Sequence, residues 1–351
     1  MPRQVGPFRI ERRLGRGGMA ETFVGVREGP GQFHQTVCLK RILEGDHADP
    51  EMIRLFRREA RVVASLAHRA ITRVIDFGHD DRGYWLALEL VEGTDLRALM
   101  KRRPSPRALP PEVAVYIAME IAEALAHAHE HSPGPVVHRD VSPANVLLGH
   151  DGSVKLTDFG LAKNVAELGP QTKLTRGNLR YMAPEVLNGR ARQDPRSDLF
   201  ALGVILYQCL SGARPYHSNN LAEAVSALMR GDLIPLVHSA PHLRSGLLEV
   251  VHMLMAPRIE RRFQSARAVV RALGDQGDLL AGRNGLMEEV RWARERDAAP
   301  PPPEEQTESL SISTQDSPHP HLEHAMPPRW AKYEEAPRVW QTVDLDQLKS
   351  K

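Results

Sequence analysis

The chain has 351 residues, too many for a peptide or mini-protein and more than one ordinary hydrophobic core supports, so two packed lobes or a large domain with extra chain are expected. Hydrophobic residues make up 42% and charged residues 26%, a globular composition, and no apolar run approaches the roughly 20 residues that span a bilayer. Lys and Arg number 46 against 44 Asp and Glu, a net charge of +2, which excludes a nucleic-acid binder working by bulk charge.

Residues 8–90 predict short strands around one helix. The strands are FRIERRL, TFVGV, TVCLKRI, RVIDFG and YWLALEL, and the helix is MIRLFRREARVVASLA. From Thr94 onward the periodicity turns helical, with Leu-, Ala- and Met-rich runs at 111–131, 195–211, 219–230 and 265–273. Asp194-Pro195 reads as a cap and first-turn proline for the second of these. VVHRDVSPANVLLG and VKLTDFG interrupt the helices as short strands with loops. Nine of the 27 prolines fall after residue 299, in chain also rich in Ser, Glu and His, so a mostly disordered tail is expected from 276 to 351. A short amphipathic helix around LMEEVRWARERD is its one structured element.

Cys38 and Cys209 are far apart in apolar surroundings, which argues against a disulfide or metal framework. The N-terminus carries no apolar h-region, so a cytoplasmic location is expected. His127, His129 and His131 alternate along a helix and do not share a face, a poor metal site. The run Lys101-Arg102-Arg103 with Arg107 reads as a solvated linker, and no nucleic-acid partner is expected.

The chemistry-bearing residues come in order along the chain. Gly15-Arg16-Gly17-Gly18-Met19-Ala20 lies between two strand patterns, where small residues either form an ordinary turn or bring backbone N–H groups close to phosphate oxygens. A strand rather than a helix follows, which excludes a dinucleotide-binding βαβ unit. Lys40 ends an alternating strand and Glu59 sits mid-helix; singly, these are a solvated lysine and a surface ion-pair partner. His138-Arg139-Asp140, Asn145 and Asp158-Phe159-Gly160 follow, and their order and spacing behind the glycine loop and the lysine make coincidence untenable.

On these motifs the chain resembles the eukaryotic-like protein kinases, and GRGGMAET resembles their bacterial Ser/Thr branch. The resemblance covers about residues 8–275, continuing through Ala183-Pro184-Glu185, Asp198 and Arg262. It implies an α+β, two-lobed protein kinase fold. A small sheet-rich N-lobe (8–90) and a larger helical C-lobe (94–275) would form a domain over 8–275. It also implies ATP and Mg²⁺ as cofactors and protein hydroxyls as acceptors.

Carried over by the resemblance, Lys40, held by Glu59, grips the α- and β-phosphates. Asp158 and Asn145 hold the metal, and Asp140 orients the acceptor hydroxyl and takes its proton. Gly15 to Ala20 cover the phosphates. Leu14, Thr22, Cys38, Leu88, Glu89, Val91, Asp95 and Leu147 complete the nucleotide site. Arg139 is the family's mark of activation by phosphorylation, here at Thr172 or Thr175.

Two positions depart from the family pattern. Ser142 stands where a lysine is usual beside the γ-phosphate, and Asn178 where a threonine is usual. They motivate the alternative of a nucleotide-binding scaffold with little turnover, while the closure at Glu185 and Arg262 argues against a small-molecule kinase. Trp292, Trp330 and Trp340 lie late in the chain, so PPRWAKYEEAPRVW, with Trp330, Tyr333 and Trp340 as anchors, is expected to dock on a partner or on the chain's own lobe.

Overall fold

Short runs in which every second residue is apolar, broken by stretches apolar on both faces such as FVGV and WLAL, build over 8–42 and 74–89 an antiparallel sheet with one face in a core. The computed structural model describes residues 4–16, 20–42, 50–104, 108–159, 178–188, 194–216 and 221–298. Strands β1 (Gln4–Val5), β2 (Phe8–Arg16), β3 (Ala20–Gly29) and β4 (Phe33–Ile42) precede helix α1 (Pro50–Ser65). Strands β5 (Val74–Asp80) and β6 (Gly83–Glu89) then complete a sheet of order β1-β2-β3-β4-β6-β5.

Register assigns the two faces. Phe23 pairs with Leu39 and Leu39 with Ala87, and these residues bury with Val5, Phe8, Val37 and Trp85 in one cluster. The alternate positions, with Thr22 opposite Lys40, Val24 opposite Cys38 and Cys38 opposite Leu88, therefore share the other face.

The chain crosses out of this lobe into β7 (Gly93–Asp95), α2 (Leu96–Arg102) and α3 (Pro111–His129). Strands β8 (Val146–Gly149) and β9 (Val154–Leu156) join β7 in a three-stranded sheet. The rest is helical: α4 (Pro184–Leu187), α5 (Arg196–Ser211), α6 (Leu221–Arg230), α7 (Leu236–Ser239), α8 (Ser245–Leu254), α9 (Ala266–Gly274) and α10 (Leu279–Ala298). Helices α3 and α5 are buried nearly all round, the pattern of helices at the centre of a large core rather than on its surface. The result is the expected α+β architecture, a sheet-rich small lobe followed by a helical large lobe.

Helix α2 was not expected, because seven residues are too few to establish a period. It takes in Lys101 and Arg102 of the supposed linker, and Arg103 pairs with Glu289 of α10. Helix α8 likewise had no counterpart in the sequence reading. Asp194 acts as expected, accepting a hydrogen bond from Arg196 N at 2.9 Å at the start of α5.

The larger difference is α10. A short helix inside a disordered tail was expected from 276 onward, whereas α10 runs from Leu279 to Ala298 and packs along α3. Leu286, Val290 and Ala293, spaced four and three apart, are buried at 1% exposure or less. A Cβ on Gly282 would stand 2.4 Å from Glu112 O, so only glycine permits this approach of α10 to α3. Helix α10 therefore belongs to the same compact unit as α3. Trp292 is half-buried against the same core with Arg296 over its ring at 4.7 Å. Trp330, Tyr333 and Trp340 lie outside the described residues. No helix among the described residues is long and apolar enough to cross a membrane.

Candidate active site

The face of the small sheet that carries Thr22, Cys38, Lys40 and Leu88 looks onto a cleft of about 770 Å³. Its floor comes from the small sheet of the second lobe, where Asp95 pairs in register with Leu147. Leu14, Glu89, Val91, Thr157 and Asp158 also line it. A slot with apolar sheet side chains above, Leu147 below and a strand-end backbone at the rear suits a planar heterocycle, and Lys40 and Asp158 bring opposite charges to its charged end.

Asp95 has a second task, since its Oδ1 accepts from Ala98 N at 2.9 Å and caps α2. Burial, and then the charge of Asp158, push the Cys38 thiol up to about 12, so the cleft wall is a neutral thiol. Gly15, Arg16 and Ala20 sit in the β2–β3 hairpin and do not line the cleft, and Gly17 to Met19 lie outside the described residues. Thr72, Arg102, His150 and Arg294 line the cleft without having been anticipated. Arg294 comes from α10, and no local signal connects it to cleft residues that all lie far earlier in the chain, Asp158 being the nearest of them in sequence.

At the charged end Lys40 Nζ donates to Asp158 Oδ1 at 2.9 Å. The Glu59 side chain lies outside the described residues, so the Lys40 contact shown here is with Asp158. Asn145 Nδ2 donates to Asp140 O at 2.8 Å and to Asp140 Oδ2 at 3.2 Å. Thr157 N donates to Asn145 O at 3.0 Å, tying the segment that carries Asp158 to the loop that carries Asp140. These bonds occupy Asp158 Oδ1 and the Asn145 amide nitrogen, and leave the other Asp158 oxygen and the Asn145 amide oxygen as hard ligands. That set fits a hexacoordinate cation completed by water and phosphate oxygens. Among the described residues no cluster of three or more His, Cys, Asp or Glu forms a metal cage.

The loop is held under strain. Arg139 (φ 66°) and Asp158 (φ 61°) occupy the left-handed region although neither is glycine, conformations that persist only where surroundings enforce them. Asp198, 2% exposed in α5, does this for Arg139. Its two oxygens accept from His138 N and Arg139 N at 2.8 Å each, and Oδ2 also contacts His129 Nε2 at 2.9 Å. Burial disfavours that carboxylate, but His129 and the His138 donor outweigh it and hold its pKa below the ordinary value. His138 Nε2 reaches Thr157 O at 3.0 Å, and its ring packs on Phe159 at 4.5 Å. The three alternating histidines thus diverge: His129 to Asp198, His127 onto His68, and His131 to Ser65.

Ser142 is 2% exposed, and its Oγ has no hydrogen-bond partner among the described residues. The Asn178 side chain, Thr172 and Thr175 lie outside them. Farther out, Arg262 grips Glu185 bidentately at 2.6 and 2.7 Å, with Ser197 Oγ donating to Glu185 Oε1 at 2.8 Å. The two residues that the resemblance singled out after Asp158, Glu185 and Arg262, are thus bound to each other, joining the start of α4 to the helical core.

The sequence pattern of the protein kinase domain matches residues 8–271. The tyrosine-protein kinase MasK of Myxococcus xanthus is 35% identical over 76% of this chain and 42% of its own length. The serine/threonine-protein kinase PknH of Mycobacterium tuberculosis is 35% identical over 74% of this chain and 40% of its own. The chain thus spans about two fifths of the length of these relatives. Among solved structures, the PknI kinase domain of Mycobacterium tuberculosis is 30% identical, with a TM-score of 0.58 over 78% of this chain and 97% of that one. The cleft, the strained loop, the Glu185–Arg262 clamp and the match across residues 8–271 agree, and the chain belongs to the protein kinase domain family.

Proposed function

We propose that the chain is an ATP-dependent protein kinase that phosphorylates serine and threonine hydroxyls, and that its catalytic unit comprises residues 8–298. The observation that carries this reading is a pair of contacts, Lys40 to Asp158 in the cleft wall and Asn145 to Asp140 in the loop, linked by the bond from Thr157 N to Asn145 O.

ATP, with Mg²⁺, supplies the γ-phosphoryl group and the charge neutralisation that its transfer demands. Leu14, Thr22, Cys38, Leu88, Glu89, Val91, Asp95 and Leu147 hold the base and sugar, and the glycine-rich turn from Gly15 to Ala20, whose described residues do not line the cleft, is assigned the cover over the phosphates on the resemblance alone. Lys40 places a fixed cation at the phosphates, oriented by Glu59 and by Asp158. Asp158 and Asn145 offer oxygen ligands to the metal. Asp140, immobilised by Asn145, orients the acceptor hydroxyl and takes its proton as the new oxygen–phosphorus bond forms. Little else is asked of a protein in phosphoryl transfer beyond positioning and charge, which is why the intact charged set favours turnover over a silent scaffold. The free cysteines and the ATP requirement support a cytoplasmic location.

The test is incubation of the purified chain with Mg²⁺ and γ-labelled ATP beside Asp140→Asn, followed by phosphoamino-acid analysis. Labelled phosphoserine or phosphothreonine absent from the Asp140→Asn reaction is expected. Equal labelling by the two proteins would sink the assignment. Phosphotyrosine alone would move the chain to the specificity named for MasK.

A further inference from the structure

A second concavity, a groove of about 1130 Å³, opens beside the catalytic loop. Pro143, three residues after Asp140, lies in its wall, and Tyr181 lies there too, four residues before Glu185. Whatever occupies this groove therefore sits next to the hydroxyl that Asp140 orients. Its lining carries Arg97 and Lys101 from successive turns of α2, Arg214 from the loop after α5, and His238 from α7, and among the described residues it includes no Asp or Glu.

These cations are weakly compensated. Arg97 is 72% exposed and touches Asp95 only at 3.9 Å, a separation and exposure at which an ion pair contributes little. Among the described residues neither Lys101 nor Arg214 has a carboxylate partner. The two phenols in the wall do not supply negative charge either, because burial pushes Tyr181 up to about 12 and raises Tyr216 as well. Three permanent positive charges in a concave wall, with no carboxylate among the described residues that line it, set a potential that attracts acidic chain and repels basic chain.

We infer that this groove selects the residues flanking the phosphoacceptor and that the substrate class is a carboxylate-rich, hydroxyl-bearing peptide segment. The inference rests on the kinase reading above and specifies its substrate. The chain's own sequence contains such a segment. Between Arg296 and Arg329 there is no Lys or Arg, and residues 304–317 read EEQTESLSISTQDS. Thr307, Ser309, Ser311, Ser313, Thr314 and Ser317 are its candidate modification sites, with Glu304, Glu305, Glu308 and Asp316 among them. In each transfer the hydroxyl oxygen bonds the γ-phosphorus, the bridging bond to the β-phosphate breaks, ADP leaves, and the hydroxyl proton passes to Asp140.

The test uses the full chain and two synthetic peptides. One copies residues 303–317, and the other carries Gln or Asn at its four acidic positions. Steady-state transfer from ATP is measured for wild type, for Lys101→Glu with Arg214→Glu, and for Asp140→Asn. The acidic peptide is expected to be the better substrate by about tenfold in kcat/KM, with a KM that rises with salt. The charge-reversed variant is expected to lose that preference while its ATP KM and its rate on the neutral peptide stay within about twofold of wild type. Mass spectrometry of the full chain after ATP is expected to place phosphate within 307–317, and none in Asp140→Asn. Equal use of the two peptides by wild type, or an unchanged preference in the charge-reversed variant, overturns the groove assignment and leaves the kinase reading standing. Transfer to neither peptide and no phosphate on the chain overturns both.

Discussion

Replacing Arg262 with alanine removes the most heavily committed cation in the helical lobe. Its side chain is fully buried against Glu185, which is 12% exposed. Besides the two bonds to that carboxylate, Arg262 donates to the carbonyls of Ala256 at 2.7 Å, Pro257 at 3.2 Å and Arg196 at 3.3 Å, and stacks over Phe200 at 4.9 Å. Deleting one partner of a buried pair leaves the other charge desolvated and uncompensated, a loss of about 3–5 kcal/mol. For a domain of this size that lowers the melting temperature by on the order of 10 °C. Arg262→Lys recovers only part of it, because an ammonium cannot form the bidentate contact.

The pH dependence has a definite sign. Burial raises the Glu185 pKa, but the hydrogen bonds and charge of Arg262 outweigh it and hold the folded value below its ordinary 4.5. A depressed carboxylate contributes stability above its unfolded pKa and loses it as pH falls through the folded one. The gap between wild type and Arg262→Ala is therefore widest near neutrality and narrows below about pH 4.5. Thermal unfolding followed by circular dichroism from pH 7 to pH 3 measures both quantities. A gap under 1 kcal/mol at pH 7, or one constant down to pH 3, would refute the reasoning.

Leu286→Ala in α10 should destabilise by about 2–5 kcal/mol in urea unfolding, because the side chain is fully buried, while Leu280→Ala at 66% exposure stays within about 0.5 kcal/mol. Equal effects would mean that α10 is not part of the folded unit. Asp198→Asn leaves one of the two loop N–H groups without its carboxylate acceptor. It is expected to lower kcat on the order of 100-fold while ATP affinity by titration changes little, since Asp198 positions the loop and does not line the nucleotide cleft. Parallel loss of affinity and turnover would assign Asp198 to general stability instead.

The sequence alone was sufficient for the parts that depend on local period and on motif order. Alternation places Thr22, Cys38, Lys40 and Leu88 on one side of their strands, because side chains in a strand change face at every residue. Helices α3, α5, α6 and α9 were legible as runs rich in Leu, Ala and Met. His138 to Asp140, Asn145 and Asp158 were found as a spaced set, and hydrogen bonds join them: Asn145 to Asp140, and Thr157, beside Asp158, to Asn145.

Other features were decided only by contacts between distant parts of the chain. Helix α2 is too short to declare itself, and Arg103 took meaning only from Glu289, far along the sequence. The three alternating histidines gave no reason to single out His129 until α5 brought Asp198 against it. Left-handed backbone at Arg139 and Asp158 runs against local preference and is maintained by hydrogen bonds from elsewhere in the fold. Helix α10 has a weak amphipathic signature beside a proline-rich run, yet the surface of α3 supplies the apolar partner that its own sequence cannot provide. The cationic groove is likewise a tertiary object: Arg97, Lys101, Arg214 and His238 come from three separate stretches, and only packing brings them into one wall where no carboxylate lies among the described lining residues.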